Sequence, residues 1–169
     1  NNGTLVFTQT RPEYPSEIAV IQDKKPPRLI TNLNEDVLAH KILGETEEVW
    51  YTSSFDGRQI QGWIVKPPFY DASKKYPLLV ENHGGPILNY GDRFTAEIQL
   101  YAADGYVVFY PNPRGSTSYG EEFANLLYNN YPGQDYNDVM DGVDYLVKKG
   151  IVDTQKLFVT LFLSYSVTS

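Results

Sequence analysis

The chain has 169 residues, 41% of them hydrophobic and 14% aromatic, which suffices for one domain with a real core plus an appendage but not for two large domains. Twenty-one acidic against 14 basic side chains give a formal charge of -7, the wrong sign for neutralising phosphates or anionic headgroups, so neither nucleic acid nor a membrane surface is an expected partner. No stretch approaches the roughly 20 apolar residues of a membrane span, and the polar start "NNGTLVF" does not read as a signal peptide. With no cysteine there is no disulfide framework, thiolate metal site or thiol nucleophile, and the compartment stays undetermined.

Residues 1–44 read as two or three short strands, "TLVFTQT", "EIAVIQD" and "PRLIT", divided by the proline-bearing turns "RPEYPS" and "DKKPP". Three strands with a free edge bury too little to stand alone, so this part is expected to be a piece of a larger β structure, with a boundary near residues 43–47. His40 falls in the connecting segment and reads as a linker residue. From Glu47 the runs "EEVWYTSS" and "RQIQGWIVKPP" flank Phe55-Asp56-Gly57, and Asp-Gly between strand-like runs signals a hairpin. The strand "LLVEN", of the kind that fills the middle of a parallel sheet, then leads into His83-Gly84-Gly85-Pro86.

Next, "DRFTAEIQLYAADG" sets Phe94, Ile98, Tyr101 and Ala102 at helical spacing and stops at Gly105, a position suited to a left-handed cap. The strand "YVVFY" follows. A further helix opens with Ser118 and Glu121, three apart as in a capping box, and carries Phe123, Leu126 and Leu127 on one face. A longer helix over about 134–149 has Val139, Val143, Leu146 and Val147 on its apolar face, with two lysines before Gly150. The strand "KLFVT" comes after a short turn. This alternation predicts an α/β fold, a mostly parallel sheet with flanking helices on both faces, entered through an antiparallel hairpin.

In such sheets, sites form where loops leave the carboxyl ends of the strands. In "ENHGGP" the paired glycines can present backbone N–H groups to a developing oxyanion, at about 2.7–4 kcal/mol per donor, or can form a plain turn ahead of a helix. His83 has no nucleophile, orienting carboxylate or metal-ligand set near it in sequence, which leaves holding its own loop as its simplest role. In "YPNPRGSTSYG", Arg114 offers five donors that can bind a substrate carboxylate or carbonyl, or can pin neighbouring loops, the favoured role. Ser118 has Gly120 two places on, but Ser116 stands where a nucleophile elbow needs glycine, so capping is its expected role. Asp138, Asp141 and Asp144 recur every three residues and are assigned to one solvated helix face. A third loop should follow "KLFVT", yet around Ser164 the elbow's small-residue places hold Phe162 and Ser166.

Five segments, "SFDGRQIQGWIVKP", "YPLLVENHGGP", "FYPNPRGSTSYGEEF", "GQDYNDVMDGVDYLV" and "VDTQKLFVT", together resemble the start of the catalytic domain of the prolyl oligopeptidase family, in the family's order. The likeness is greatest to its acylaminoacyl-peptidase and dipeptidyl-peptidase-like branches. It covers about residues 47–160, and the preceding strands resemble the last blade of the family's β-propeller. The resemblance implies a β-propeller blade remnant and connector over residues 1–44, then an incomplete α/β-hydrolase fold over 45–169. It implies a serine-type peptidase that hydrolyses short peptides through an acyl-enzyme, with a peptide substrate as partner and no metal or organic cofactor. It places His83, Gly84 and Gly85 in the loop that forms or supports the oxyanion hole, and Arg114 in a loop that shapes the site. After Thr160, where the family has a glycine-rich turn around serine, this chain reads "LFLSYSVTS", in which Ser164-Tyr165 is a displaced echo of the family's serine-tyrosine pair. The catalytic serine, aspartate and histidine are thus unassigned, with Ser164 a distant candidate. The expectation is a piece of a peptidase that is inactive by itself; the alternative is a non-catalytic α/β binding module.

Overall fold

Two sheets account for all the strands of the computed structural model, which describes residues 3–84 and 87–162. The first is antiparallel, with β1 (Leu5–Arg11), β2 (Tyr14–Ile21) and β3 (Arg28–Leu29) in that order. It buries Ala19 and Val20 but leaves Leu5, Val6 and Leu29 exposed, as a sheet with one small covered face must. The buried carboxylate of Glu17 compensates its desolvation by accepting bonds from Thr31 Oγ1 at 2.5 Å and Leu33 N at 2.8 Å. A helix absent from the sequence reading, α1 (Glu35–Leu38), follows; four residues are too few to show a periodicity.

The second sheet contains β4 (Glu45–Thr52), β5 (Gln59–Lys66), β6 (Tyr76–His83), β7 (Val107–Asn112) and β8 (Val152–Phe162), in the order β4-β5-β7-β6-β8. β4 and β5 pair antiparallel from Glu45↔Lys66 to Thr52↔Gln59, and the hairpin signalled by Asp56-Gly57 turns with Gly57 at φ 76°. β5 enters antiparallel to β7, whereas β6 runs parallel to both β7 and β8. The sheet is therefore mixed, with its antiparallel pairs on the hairpin side.

Helix α2 (Ala96–Ala103) bridges β6 to β7, and its Ile98 and Ala102 pack on Trp63, Val65, Val108 and Tyr110. Phe94, included in the helical spacing, precedes the helix, and Gly105 takes φ 94° after its last turn. The long crossover from β7 to β8 contains α3 (Glu121–Ala124), a 3-10 turn (Asn125–Leu127) and α4 (Asp135–Lys149). Val143 and Leu146 of α4 pack on the opposite face, against Ile64, Leu78, Val80 and Phe109. Consecutive strand residues thus feed two cores in turn, and β7 is buried at every position. Gly142 permits this closeness, since a Cβ there would lie 2.5 Å from Phe109 Cζ and 2.8 Å from Tyr51 Cζ. Lys148 and Lys149 occupy the last turn of α4, and Gly150 closes it in the left-handed region.

The capping box at Ser118 does not form. Ser118 has φ 81°, outside the extended region that an N-cap adopts, and Gly120 stands before α3 with no side-chain cap bond. Residues 113–120 are instead shaped by contacts to other loops.

Candidate functional site

Strand order reverses at β6, because the chain leaves it for β7 on one side and returns past it to β8 on the other. Loops diverge at such a point and open a crevice above the carboxyl ends of the strands. His83 ends β6 there, paired with Phe162 at the end of β8. Among the sequence candidates the structure thus places His83 and Gly84 at this crevice; Gly85 and Ser164 lie outside the described residues.

The imidazole of His83 is half-buried, with Nε2 3.0 Å from Ser116 Oγ. Ser116 is fully buried and gives its own hydroxyl proton to Pro113 O at 2.7 Å. With the hydroxyl proton given to Pro113 O, the matching partner for Ser116 Oγ is an Nε2–H donor, the roles in this contact following the tautomer of the ring. Nδ1 lies 3.4 Å from Gly84 O, and Tyr90 meets the ring edge-on with 5.1 Å between centroids. Burial holds the imidazole below its ordinary pKa, against an opposing pull from the Gly84 carbonyl. Among the described residues no group of three His, Cys, Asp or Glu is arranged to hold a metal ion.

Arg114 sits below the crevice, 3% exposed at its side chain. Its Nε and Nη2 donate to Asp138 Oδ2 and Oδ1, both at 2.8 Å, and its backbone N–H adds a third bond to Oδ2 at 2.9 Å. Nη1 and Nη2 also reach Asp56 at 3.1 and 3.2 Å, Nη2 reaches Ser53 Oγ at 3.0 Å, and the guanidinium lies 5.0 Å from the Phe55 ring centroid. The cation therefore joins the β7–α3 loop, the β4–β5 turn and α4. Burial opposes ionisation of Asp56, but its bonds from Arg114 and Arg58 outweigh this and keep its carboxyl below the usual range.

Asp138 corrects the sequence reading, being fully buried and not part of a solvated face. Three residues advance a helix by about 300°, so Asp138, Asp141 and Asp144 fan over roughly 120° of its circumference. Asp138 faces inward to Arg114, Asp141 is half-buried and accepts a bond from Ser54 N at 2.7 Å, and Asp144 is exposed. Sequence reasoning missed Ser53, Asp56 and Asp138 as partners of Arg114, and Ser116 as the partner of His83.

Between β6, β8 and α4 lies a cavity of about 550 Å³, bordered by Asn82, His83, Arg114, Tyr136 and Met140 and by the apolar side chains of β8.

A glycine-bearing loop after the third strand of a β4-β5-β7-β6-β8 sheet, with helices on both faces, defines an incomplete α/β-hydrolase fold; the antiparallel sheet before it is a β-propeller blade remnant. The solved Pyrococcus horikoshii acylaminoacyl peptidase matches with a TM-score of 0.84 at 28% identity, covering 96% of this chain and 26% of that one. An acylaminoacyl peptidase in complex with Z-Gly-Gly-Phe-chloromethyl ketone matches at 0.85 and 27%, with the same coverage. Residues 92–160 match the model of the prolyl oligopeptidase family, and the chain belongs to that family. It is 38% identical over 157 residues to the uncharacterized peptidase YuxL of Bacillus subtilis, covering 92% of this chain and 24% of YuxL. Dipeptidyl-peptidase 5 of Schizosaccharomyces pombe is 36% identical over 143 residues, covering 80% of this chain and 21% of that protein. The chain thus spans about a quarter of the length of these relatives.

Proposed function

We propose that this chain is part of a serine-type peptidase, in which residues 1–44 end a propeller and connect it to residues 45–169, the N-terminal part of the hydrolase domain. In this reading the whole protein cleaves short peptides by acyl transfer. A serine oxygen attacks the scissile carbonyl, the amine leaves, and water hydrolyses the resulting ester. His83 and Gly84, with Gly85, belong to the loop that forms or supports the oxyanion hole, and Arg114 shapes the site by pinning the loops beneath it. No metal or organic cofactor takes part. The observation that carries the reading is the placement of His83 at the reversal point of the sheet, beside the end of β8, where an elbow serine would follow.

The residues after Thr160 lack the small side chains of an elbow, so the 169-residue chain itself has no hydrolase activity and Ser164 is not an activated nucleophile. A fluorophosphonate probe tests both statements, since it phosphonylates only an activated serine, with loss of fluoride. We expect no labelled serine in this chain and one in a full-length parent in which β8 runs on into a glycine-flanked serine in place of residues 161–169. A labelled serine in the chain would overturn its inactivity; an unlabelled full-length protein would overturn the peptidase reading and favour a binding module that uses the cavity beside β8.

A further inference from the structure

We propose that Ser116 is the positioning residue of His83, its hydroxyl selecting the neutral Nε2–H tautomer and so making the ring a fixed brace at the end of β6 rather than a proton carrier. The inference rests on the peptidase reading only for its consequence in catalysis.

The direction of the hydrogen bonds carries the argument. Pro113 O accepts both the backbone N–H of Ser116 at 3.1 Å and its hydroxyl at 2.7 Å, which leaves Ser116 Oγ as an acceptor facing His83 Nε2. With Ser116 fully buried, no solvent competes for that acceptor. The competing tautomer would place a proton on Nδ1 and donate it to Gly84 O, 3.4 Å away. Ser116 is therefore the group that decides between two neutral states of the ring.

Ser116 can do this because its own position is fixed. The preceding Arg114 is bound through its backbone and its guanidinium to one carboxylate, Asp138. Gly115 turns with φ 91° where a Cβ would lie 2.7 Å from Leu127 Cδ1, and its N–H bonds Phe123 O at 3.1 Å. The same loop also holds the far end of the segment that follows His83. Thr117 N donates to Leu88 O at 2.9 Å and Thr117 Oγ1 to Asn89 Oδ1 at 3.2 Å. Asn112 accepts from Tyr90 N at 2.8 Å and donates to Tyr90 O at 3.0 Å. The polar backbone groups of Leu88 and Tyr90 thus find partners in residues 112–117, and at the near end Ser116 meets the ring of His83.

The chain has only two histidines, and exposed His40 serves as an internal reference. Long-range proton–nitrogen NMR correlations of the 15N-labelled chain at neutral pH report the tautomer of each ring directly. We expect His83 to favour Nε2–H by about tenfold or more, the effect of one buried hydrogen bond. In Ser116→Ala the preference should pass to Nδ1–H, and Ser116→Thr should restore the wild-type pattern. A wild-type His83 in the Nδ1–H or cationic form overturns the proposal without any variant, and so does a Ser116→Ala spectrum that keeps the Nε2–H pattern. In a full-length protein Ser116→Ala is expected to lower kcat with KM little changed. Failure of fluorophosphonate labelling there would defeat the peptidase reading, while the tautomer decides the brace by itself.

Discussion

Replacing Asp138 with asparagine tests the Arg114 network most directly. The side chains are 3% and 0% exposed, and three hydrogen bonds join the two residues. An asparagine keeps one acceptor oxygen but turns an NH2 group either toward Nη2 of Arg114 or toward both its Nε–H and its backbone N–H, and it removes the charge that offsets the buried guanidinium. Breaking a buried pair from one side costs about 3–5 kcal/mol. Asp56 stays in contact with the cation but is 25% exposed at its side chain and only partly replaces the lost charge, so the lower end, about 3 kcal/mol, applies. With a urea m-value of about 2 kcal/mol/M for a chain of this size, the denaturation midpoint should fall by roughly 1.5 M. Asp141→Asn, at a half-buried position on the same helix, is the control and should shift the midpoint far less. A shift below about 0.3 M in Asp138→Asn at unchanged m would refute the reasoning, because it would mean that Asp56 and Ser53 suffice to hold Arg114.

Two further changes test the packing and the electrostatics of the sheet. Gly142→Ala should lower stability by about 1–3 kcal/mol in a thermal melt despite alanine's better helix propensity, since its Cβ would meet Phe109 and Tyr51 within 2.8 Å; an unchanged or higher melting temperature would show that α4 can step away from the sheet. Glu81 is 5% exposed in β6, and burial raises its pKa against the opposing hydrogen bond from Tyr90, 3.2 Å away. A carboxyl whose folded pKa is raised contributes its full stability below the unfolded glutamate value of about 4.3 and loses it as pH rises through the folded value. Glu81→Gln should therefore gain stability relative to the wild type as pH rises from 4 to 8 in urea titrations, and parallel pH curves for the two proteins would count against a raised Glu81 pKa.

The elements with a strong period were legible in the sequence. The α4 pattern from Val139 to Val147 with Gly150 beyond it matches a helix over Asp135–Lys149, and the Asp56-Gly57 signal matches the β4–β5 hairpin. Residues whose roles depend on partners far along the chain were not legible. Asp138 looks like its neighbours Asp141 and Asp144 until Arg114 is brought against one edge of the helix, and Ser118 looks like a cap until the loop bonds of residues 113–117 force it into left-handed backbone. Periodicity reports which face of an element is apolar. It does not report which polar residue at the margin of that face meets a buried cation, because that partner is set by the crossover that packs α4 on β7.

The Arg114 network also bears on the order in which the chain assembles. Its bonds span 58 and 61 residues back to Asp56 and Ser53 and 24 forward to Asp138, so it closes only after the hairpin, β7 and α4 have come together. A cluster completed late adds little to the folding transition state and most to the barrier against leaving the native state. It acts as a latch: loss of Asp138 should speed unfolding while leaving refolding nearly as fast, and the loop that carries Ser116 owes its persistence to slow opening more than to rapid formation.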